Sequence, residues 1–327
     1  MRGLPPRCAR GYLAPVIAPP TRVLIGHKRL TGLDDAIRAA RPDLELRAKD
    51  LDTITPDDLA WAEVYVGFRR PTPDDLGGVR WIHCVGAGVD AFVSGAPVAS
   101  HIMITRTSED FGTQIAEYCV ARALAFTQSL MALAVAQRER RWEPDHLEPL
   151  AGARVVIVGT GTVGRAIARA FTALSCTVDG VSRSGAAVAP FRRVVKSEQL
   201  GGAVVGAHWL VLAAPHTPET VHIVNRAVLE RCRGTVLINV GRGALVDESV
   251  LPEALYQKWL RGAALDVFEK EPLPPESPLW GRDNVMISPH ISGITTVAGA
   301  AAGFLECLAA VDRGETPPWL VDRARGY

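Results

Sequence analysis

Ten residues near the middle of the chain, Val155-Val156-Ile157-Val158-Gly159-Thr160-Gly161-Thr162-Val163-Gly164, restrict the fold more than any other stretch. Four β-branched residues run into G-x-G-x-x-G, and an Ala- and Arg-rich helical pattern follows at once. Each glycine has a mechanical task in a strand–turn–helix. Gly159 permits the tight turn, Gly161 lets a pyrophosphate approach the backbone, and Gly164 lets the helix pack close to the strand. The first amides of a helix beginning near Thr162 then face the phosphates, where the helix dipole favours negative charge. A glycine pattern alone is weak. Here an apolar strand precedes it, a helix follows, and 177–181 supplies the second strand of a βαβ unit. The competing reading is a Gly-rich turn in some other α/β protein.

The same alternation extends in both directions. Strands are expected at 21–26, 44–47, 64–66, 80–84 and 102–104, with a helix at 33–40. Further strands are expected at 154–158, 177–181, 209–213, 235–239, 263–267 and 285–287, and helices at 247–259, with Asp247 as N-cap, and 297–313. Strands alternating with helices predict mostly parallel sheets. A length of 327 residues suits two such domains better than one. The stretch 114–141 reads as one long helix, apolar around much of its circumference (Ile115, Tyr118, Cys119, Leu124, Phe126, Leu130, Leu133, Val135), so it is expected to be buried between domains or against another subunit.

Composition narrows the function classes. A net charge of +1 gives no reason to expect nucleic acid or an anionic membrane as partner. The six cysteines are scattered without a CxxC pair, which argues against a metal site or a disulfide framework and fits a reducing compartment such as the cytoplasm. Glu117, Arg122 and Gln128 interrupt the most apolar long segment, so no membrane helix is expected. Residues 1–20 carry three arginines but five prolines, which spoil the amphipathic helix of a transit peptide; a disordered leader is the expectation.

In open α/β sheets ligands bind beyond the carboxyl ends of strands. Three charged or titratable residues follow such ends: Arg242 in Asn239-Val240-Gly241-Arg242-Gly243, Glu271 in the run 265–272, and His290 in Ser288-Pro289-His290. An arginine, an acid and a histidine on neighbouring loops can bind an anionic carbonyl compound and move a proton. A carboxylate beside the histidine would orient the ring and stabilise its cation.

These motifs together resemble the D-isomer-specific 2-hydroxyacid dehydrogenase family over nearly the whole chain after the leader. The resemblance rests on GAGVD (86–90), GTGTVG (159–164), APHTPET (214–220), NVGRG (239–243), LDVFEKEP (265–272) and SPHISG (288–293), in that order. The spacings of 29 residues from Arg242 to Glu271 and 19 from Glu271 to His290 match the family's set, whereas the rival Glu269 falls two residues short. The resemblance implies two doubly wound α/β domains. A Rossmann dinucleotide-binding domain (114–295) would be inserted in a smaller flavodoxin-like substrate domain (21–113 and 296–327).

It also implies roles. Arg242 would pair with a substrate carboxylate, His290 would donate a proton to the 2-oxo group, and Glu271 would hold the imidazole. Gly86, Ala87 and Gly88 would bind the substrate carboxylate through their amides, unless they simply form a turn. The dinucleotide would lie along Gly159, Gly161, Thr162, Val163 and Gly164, then against Ala214, Pro215 and Thr220. Val240, Gly241, Arg242, His290 and Gly293 would bind the cofactor as well, with Asp266 either anchoring the carboxamide or merely capping its strand. A homodimer is implied as well; the apolar breadth of 114–141 agrees with it but does not separate burial against a second subunit from burial between domains. The other histidines (His27, His83, His101, His146, His208, His216, His222) lack motif context and are expected to be surface or packing residues.

The residues after the second strand of the dinucleotide unit bear on the cofactor. An NAD enzyme places an acid about 20 residues after the glycine motif to bind the ribose hydroxyls. Here that place reads Ser182-Arg183-Ser184, and Asp179 falls inside the strand. An arginine flanked by hydroxyls suits a 2′-phosphate, so NADP is the preferred cofactor and NAD a possible one. The expectation is reduction of a small 2-oxoacid of glyoxylate or hydroxypyruvate type. The alternatives are a dinucleotide-sensing, corepressor-like interaction protein of the same fold and, more weakly, a formate-type dehydrogenase, which usually has Gln in place of Glu271.

Overall fold

The computed structural model describes residues 17–26, 30–71, 75–93, 98–107, 111–142, 144 and 147–323. The expected leader lies outside them apart from 17–20, as do His27 and His146. The chain divides into two compact units, one of Met1–Glu109 with Thr295–Tyr327 and one of Asp110–Ile294.

The first unit is built on a five-stranded sheet: β1 (Arg22–Gly26), β2 (Glu45–Lys49), β3 (Val64–Gly67), β4 (Trp81–Cys84) and β5 (Met103–Arg106). Every pairing is parallel and the order is β2-β1-β3-β4-β5, the flavodoxin-like arrangement. Alternate side chains serve opposite faces. Val23, Ile25, Val64, Val66 and Trp81 share one cluster with residues of helices Leu33–Ala40 and Val297–Asp312, while Leu24, Tyr65, Ile82 and Cys84 pack with Leu59 and Phe92. Covering both faces explains why these strands read as short unbroken apolar runs. Phe304 of the last helix stacks on Trp81 with ring centroids 5.3 Å apart. A short helix at Pro56–Trp61 was not expected, although its signal is present: Thr55 and Asp58 form a reciprocal capping box.

The second unit holds seven parallel strands: β6 (Arg154–Val158), β7 (Thr177–Ser182), β8 (Arg193–Lys196), β9 (Trp209–Leu212), β10 (Thr235–Asn239), β11 (Leu260–Leu265) and β12 (Val285–Ile287). Their order is β12-β11-β10-β9-β6-β7-β8. Counted from β6, this is the 3-2-1-4-5-6 Rossmann order extended by one strand, and it reverses between β6 and β9. Val155 and Ile157 pack with the helices Phe111–Thr127 and Thr162–Ala173 on one face, and Val156 and Val158 face the opposite core.

Three sequence expectations need correction. The edge strand β8 was not foreseen, because four residues with only two partly buried valines give no strong signal. The segment 114–141 is two helices, Phe111–Thr127 and Leu130–Arg138, bent by 61° where Ser129 takes a left-handed φ of 48°. Nor is it buried throughout within the chain, since Leu130 is 52% and Leu133 37% exposed. Asp247 does not cap a long helix. It precedes a 3₁₀ turn, Glu248–Val250, and accepts a bond from the Ser249 hydroxyl, before a short helix at Leu251–Tyr256. Among the described residues no single helix is long and apolar enough to cross a membrane; the bent pair meets that length only across its break.

Candidate active site

The turn after β6 has the geometry its glycines predict. Gly159 sits at φ 104°, and a Cβ on it would lie 2.6 Å from the Ala213 carbonyl oxygen. A Cβ on Gly164 would come within 1.9 Å of the Gly159 oxygen, so only glycine lets the helix start here. A Cβ on Gly161 would meet nothing within 4 Å, which leaves open space above the turn. Arg165 N is the first amide bonded back into the helix, to Gly161 O. The preceding amides of Thr162, Val163 and Gly164 stand at the positive end of a 12-residue helix at the switch point. Room over a glycine and a free helix N-terminus at a strand reversal fit a dinucleotide pyrophosphate.

Around this turn the other strand ends contribute polar groups. After β7, Ser182 Oγ accepts from Gly185 N (3.1 Å) and Ser184 Oγ from Ala186 N (3.2 Å), so each hydroxyl keeps its own proton to donate, with exposed Arg183 between them. Asp179 is buried in β7 and held by Arg154, Arg192 and Arg193, which removes it from any ribose contact. After β9, the Thr220 hydroxyl bonds Pro215 O (2.8 Å) and accepts from Thr217 N (2.8 Å), closing the loop that starts at Ala214.

The ends of β10, β11 and β12 bring the arginine, the acid and the histidine together. Buried Asn239 staples the Arg242 loop: its Oδ1 accepts from Gly241 N (3.1 Å) and its Nδ2 donates to Arg242 O (2.9 Å). Gly243 then lies so close to the next loop that a Cβ would fall 1.8 Å from the Phe268 carbonyl carbon. That loop places Glu271, whose Oε1 accepts from Phe268 N (3.1 Å) and whose Oε2 lies 2.9 Å from His290 Nδ1. Burial pushes the Glu271 carboxyl up, but the bond and charge of His290, the Phe268 amide and the charge of Arg242 outweigh it and hold the pKa below its ordinary value. Glu271 therefore stays anionic at neutral pH and accepts the Nδ1 proton, so Nε2 is the ring nitrogen turned away from the acid.

The rival Glu269 points elsewhere, with Oε1 2.6 Å from His222 Nε2. His290 itself has a left-handed φ of 57°. Its amide donates to Asp266 O (2.8 Å), and the fully buried Asp266 carboxylate accepts from Ile291 N (2.9 Å), Ser292 N (2.8 Å) and the Ser288 hydroxyl (2.5 Å). Asp266 thus serves the loop, and of about four acceptor positions on a carboxylate only one is left over. Gly293 packs on Ile115 and Phe111, while Val240 is buried behind the Arg242 loop. Sequence reasoning missed Asn239, Ser288 and Tyr118. For Asn239 a signal existed, an amide ending an apolar strand; Tyr118 is hidden in an apolar helix.

In the first unit, the loop after β4 carries Gly86, Ala87 and Gly88. Gly86 is buried against Phe68, Ala87 is exposed, and Gly88 O accepts from Cys84 Sγ (3.2 Å). His83, ahead of this loop, is a core residue. The other described histidines, His101, His208, His216 and His222, are exposed or partly so. No group of three or more His, Cys, Asp or Glu residues suited to a metal ion occurs among the described residues, and the five described cysteines are free and buried.

A Rossmann sheet with a glycine-lined phosphate turn at its reversal, and an acid–histidine pair on adjacent strand ends, defines a nicotinamide dinucleotide-dependent oxidoreductase. Comparison with known proteins agrees. The family model described as D-isomer specific 2-hydroxyacid dehydrogenase, NAD binding domain, matches residues 120–292. The chain belongs to the D-isomer specific 2-hydroxyacid dehydrogenase family, whose members are NAD(P)-dependent and act on small 2-hydroxyacids. Among solved structures, a family protein from Aeromonas salmonicida is 28% identical with a TM-score of 0.86, covering 92% of this chain and 99% of that one. A D-isomer specific 2-hydroxyacid dehydrogenase from Xanthobacter autotrophicus, in complex with NADPH and MES, is 31% identical with a TM-score of 0.85 over 94% and 100%. An NADPH-dependent glyoxylate/hydroxypyruvate reductase from Sinorhizobium meliloti, in complex with NADP and sulfate, is 25% identical with a TM-score of 0.84 over 94% and 100%.

Proposed function

We propose that the protein is an NADPH-preferring reductase that converts a small 2-oxoacid of glyoxylate or hydroxypyruvate type to the D-2-hydroxyacid. The observation that carries this reading is the His290–Glu271 pair at 2.9 Å with the charge of Arg242 beside it. When bound, the dihydronicotinamide supplies a hydride from C4 to the 2-oxo carbon. His290, protonated and stabilised by Glu271, delivers the Nε2 proton to the carbonyl oxygen, so one hydride and one proton complete the alcohol. Arg242 binds the substrate carboxylate through its planar fork and polarises the carbonyl. The unit made of Met1–Glu109 and Thr295–Tyr327 acts as the substrate domain, with the amides of Gly86, Ala87 and Gly88 as further carboxylate donors.

Preference for NADPH rests on Arg183 flanked by two hydroxyls with protons to give, and on the burial of Asp179. The NADPH and NADP complexes of the Xanthobacter and Sinorhizobium relatives support it. The apolar side chains exposed on Leu130–Arg138 suit a homodimer. The test is oxidation of NADPH and NADH with a panel of 2-oxoacids. Turnover with glyoxylate or hydroxypyruvate that disappears in His290→Ala supports the reading; no turnover with any acid favours a dinucleotide-sensing interaction protein.

A further inference from the structure

The left-handed backbone at His290 is costly for a residue with a side chain and persists only where the surroundings hold it. Here they hold it through one carboxylate. The Asp266 carboxylate accepts from the two amides that follow His290, those of Ile291 and Ser292, and from the Ser288 hydroxyl at 2.5 Å ahead of it. That last bond commits the Ser288 proton. In the 2.7 Å contact between Tyr118 Oη and Ser288 Oγ, the phenol is therefore the donor, and a chain of directed bonds runs from Tyr118 to Ser288 to Asp266. Burial, aided by the charge of Asp266, raises the pKa of the Tyr118 phenol despite the Arg122 guanidinium 4.5 Å from its ring, so the donor keeps its proton.

The same helix face holds the rest of the loop. Gln114 Oε1 accepts from Ile294 N (2.9 Å), and Gly293 rests on Ile115 and Phe111. Residues 111, 114, 115 and 118 recur at one-turn spacing, so a single stripe of the helix Phe111–Thr127 grips the histidine loop from Ser288 to Ile294.

We infer that Tyr118 is a positioning residue for His290, acting through the Ser288 hydroxyl and the Asp266 carboxylate. Its hydroxyl fixes the Ser288 rotamer, which keeps the carboxylate square to the Ile291 and Ser292 amides and the imidazole aimed from its strained backbone. Phenylalanine would fill the same space and leave the buried Ser288 oxygen without its donor. The effect on turnover rests on the reading of His290 as proton donor; the hydrogen-bond chain itself does not.

The test uses the full chain with NADPH and glyoxylate, comparing Tyr118→Phe, Ser288→Ala and the double variant. Because small misplacements of reacting groups cost rate steeply, each single variant is expected to lose about tenfold in kcat. The double variant should lose no more than Ser288→Ala alone, with the KM for glyoxylate within about twofold throughout. Unchanged kcat in Tyr118→Phe, or losses that multiply in the double variant, overturns the proposal. A second readout needs no turnover. In protein labelled with ¹⁵N-histidine, the Nδ1 proton that His290 shares with Glu271, assigned by its loss in His290→Ala, should shift or broaden in Tyr118→Phe. If it does not move, the proposal fails whatever the kinetics. Turnover that survives His290→Ala defeats the proton-donor reading instead and leaves the resonance to decide this one.

Discussion

Glu271 Oε2 lies 2.9 Å from His290 Nδ1, while Glu269, two residues earlier, pairs with His222 at 2.6 Å. One short loop thus sends two acids to two different histidines, and the charge of Arg242 acts on Glu271, the acid paired with His290. The divergence follows from the Phe268 amide, which binds Glu271 Oε1 and turns that carboxylate toward the end of β12.

The two acids should therefore be unequal in function. Glu271→Gln removes the charge that stabilises protonated His290 and is expected to lower kcat by about 10²-fold, the scale of an assisted proton transfer. Glu269→Gln should stay within about twofold. Steady-state rates with NADPH and glyoxylate distinguish them, and equal losses would contradict the assignment of Glu271.

Cofactor choice should turn on Arg183. A charge-assisted bond to a 2′-phosphate is worth about 1.5–3 kcal/mol, so Arg183→Ala should raise the KM for NADPH by roughly 10- to 100-fold. The KM for NADH, which has no phosphate at that position, should change by less than about threefold. Parallel titrations of the two cofactors make the measurement; equal effects would remove the basis for an NADPH preference.

Gly243 should be irreplaceable on steric grounds. An added Cβ at 1.8 Å from the Phe268 carbonyl carbon must push apart the loops that carry Arg242 and Glu271. Gly243→Ala is expected to destabilise the second unit by about 3 kcal/mol, the upper range for overpacking, and to lose most activity even in the folded fraction. Urea unfolding and residual kcat read the two effects separately.

His83 should make the first unit acid-sensitive. Its ring is fully buried between the Thr105 and Thr107 hydroxyls, at 2.8 and 3.1 Å, which match one donor and one acceptor nitrogen of a neutral imidazole. Burial lowers its pKa from 6.5 to about 3. The unfolded chain then binds a proton below pH 6.5 that the folded chain refuses, so stability is full above that pH and falls as pH drops toward 3. The slope for one such group is about 1.4 kcal/mol per pH unit. Thermal unfolding between pH 7 and 5 should show a shallower decline in His83→Gln than in the unmodified protein; parallel declines would refute the buried, neutral histidine.

Much of this architecture is legible in the chain because its signals are local. The glycines of 159–164 act within one turn, and each apolar strand names its own position. The spacing of Arg242, Glu271 and His290 follows from three consecutive strand ends on one side of a sheet. Signals that depend on neighbours were weaker. Strand β8 carries only Val194 and Val195 as partly buried residues, and the bend at Ser129 has no proline or glycine to announce it.

Sequence by itself determined the α/β class and the residue types that gather at the strand ends, since these depend on periodicity and on residues close along the chain, while its motifs in order carried the family resemblance. Only the tertiary structure decided that Glu269 goes to His222, that Asp266 is occupied by the loop it anchors, and that Tyr118 reaches Ser288 across 170 residues of sequence. Hydrogen bonds form between groups that folding brings within about 3 Å, and no pattern along the chain encodes that approach.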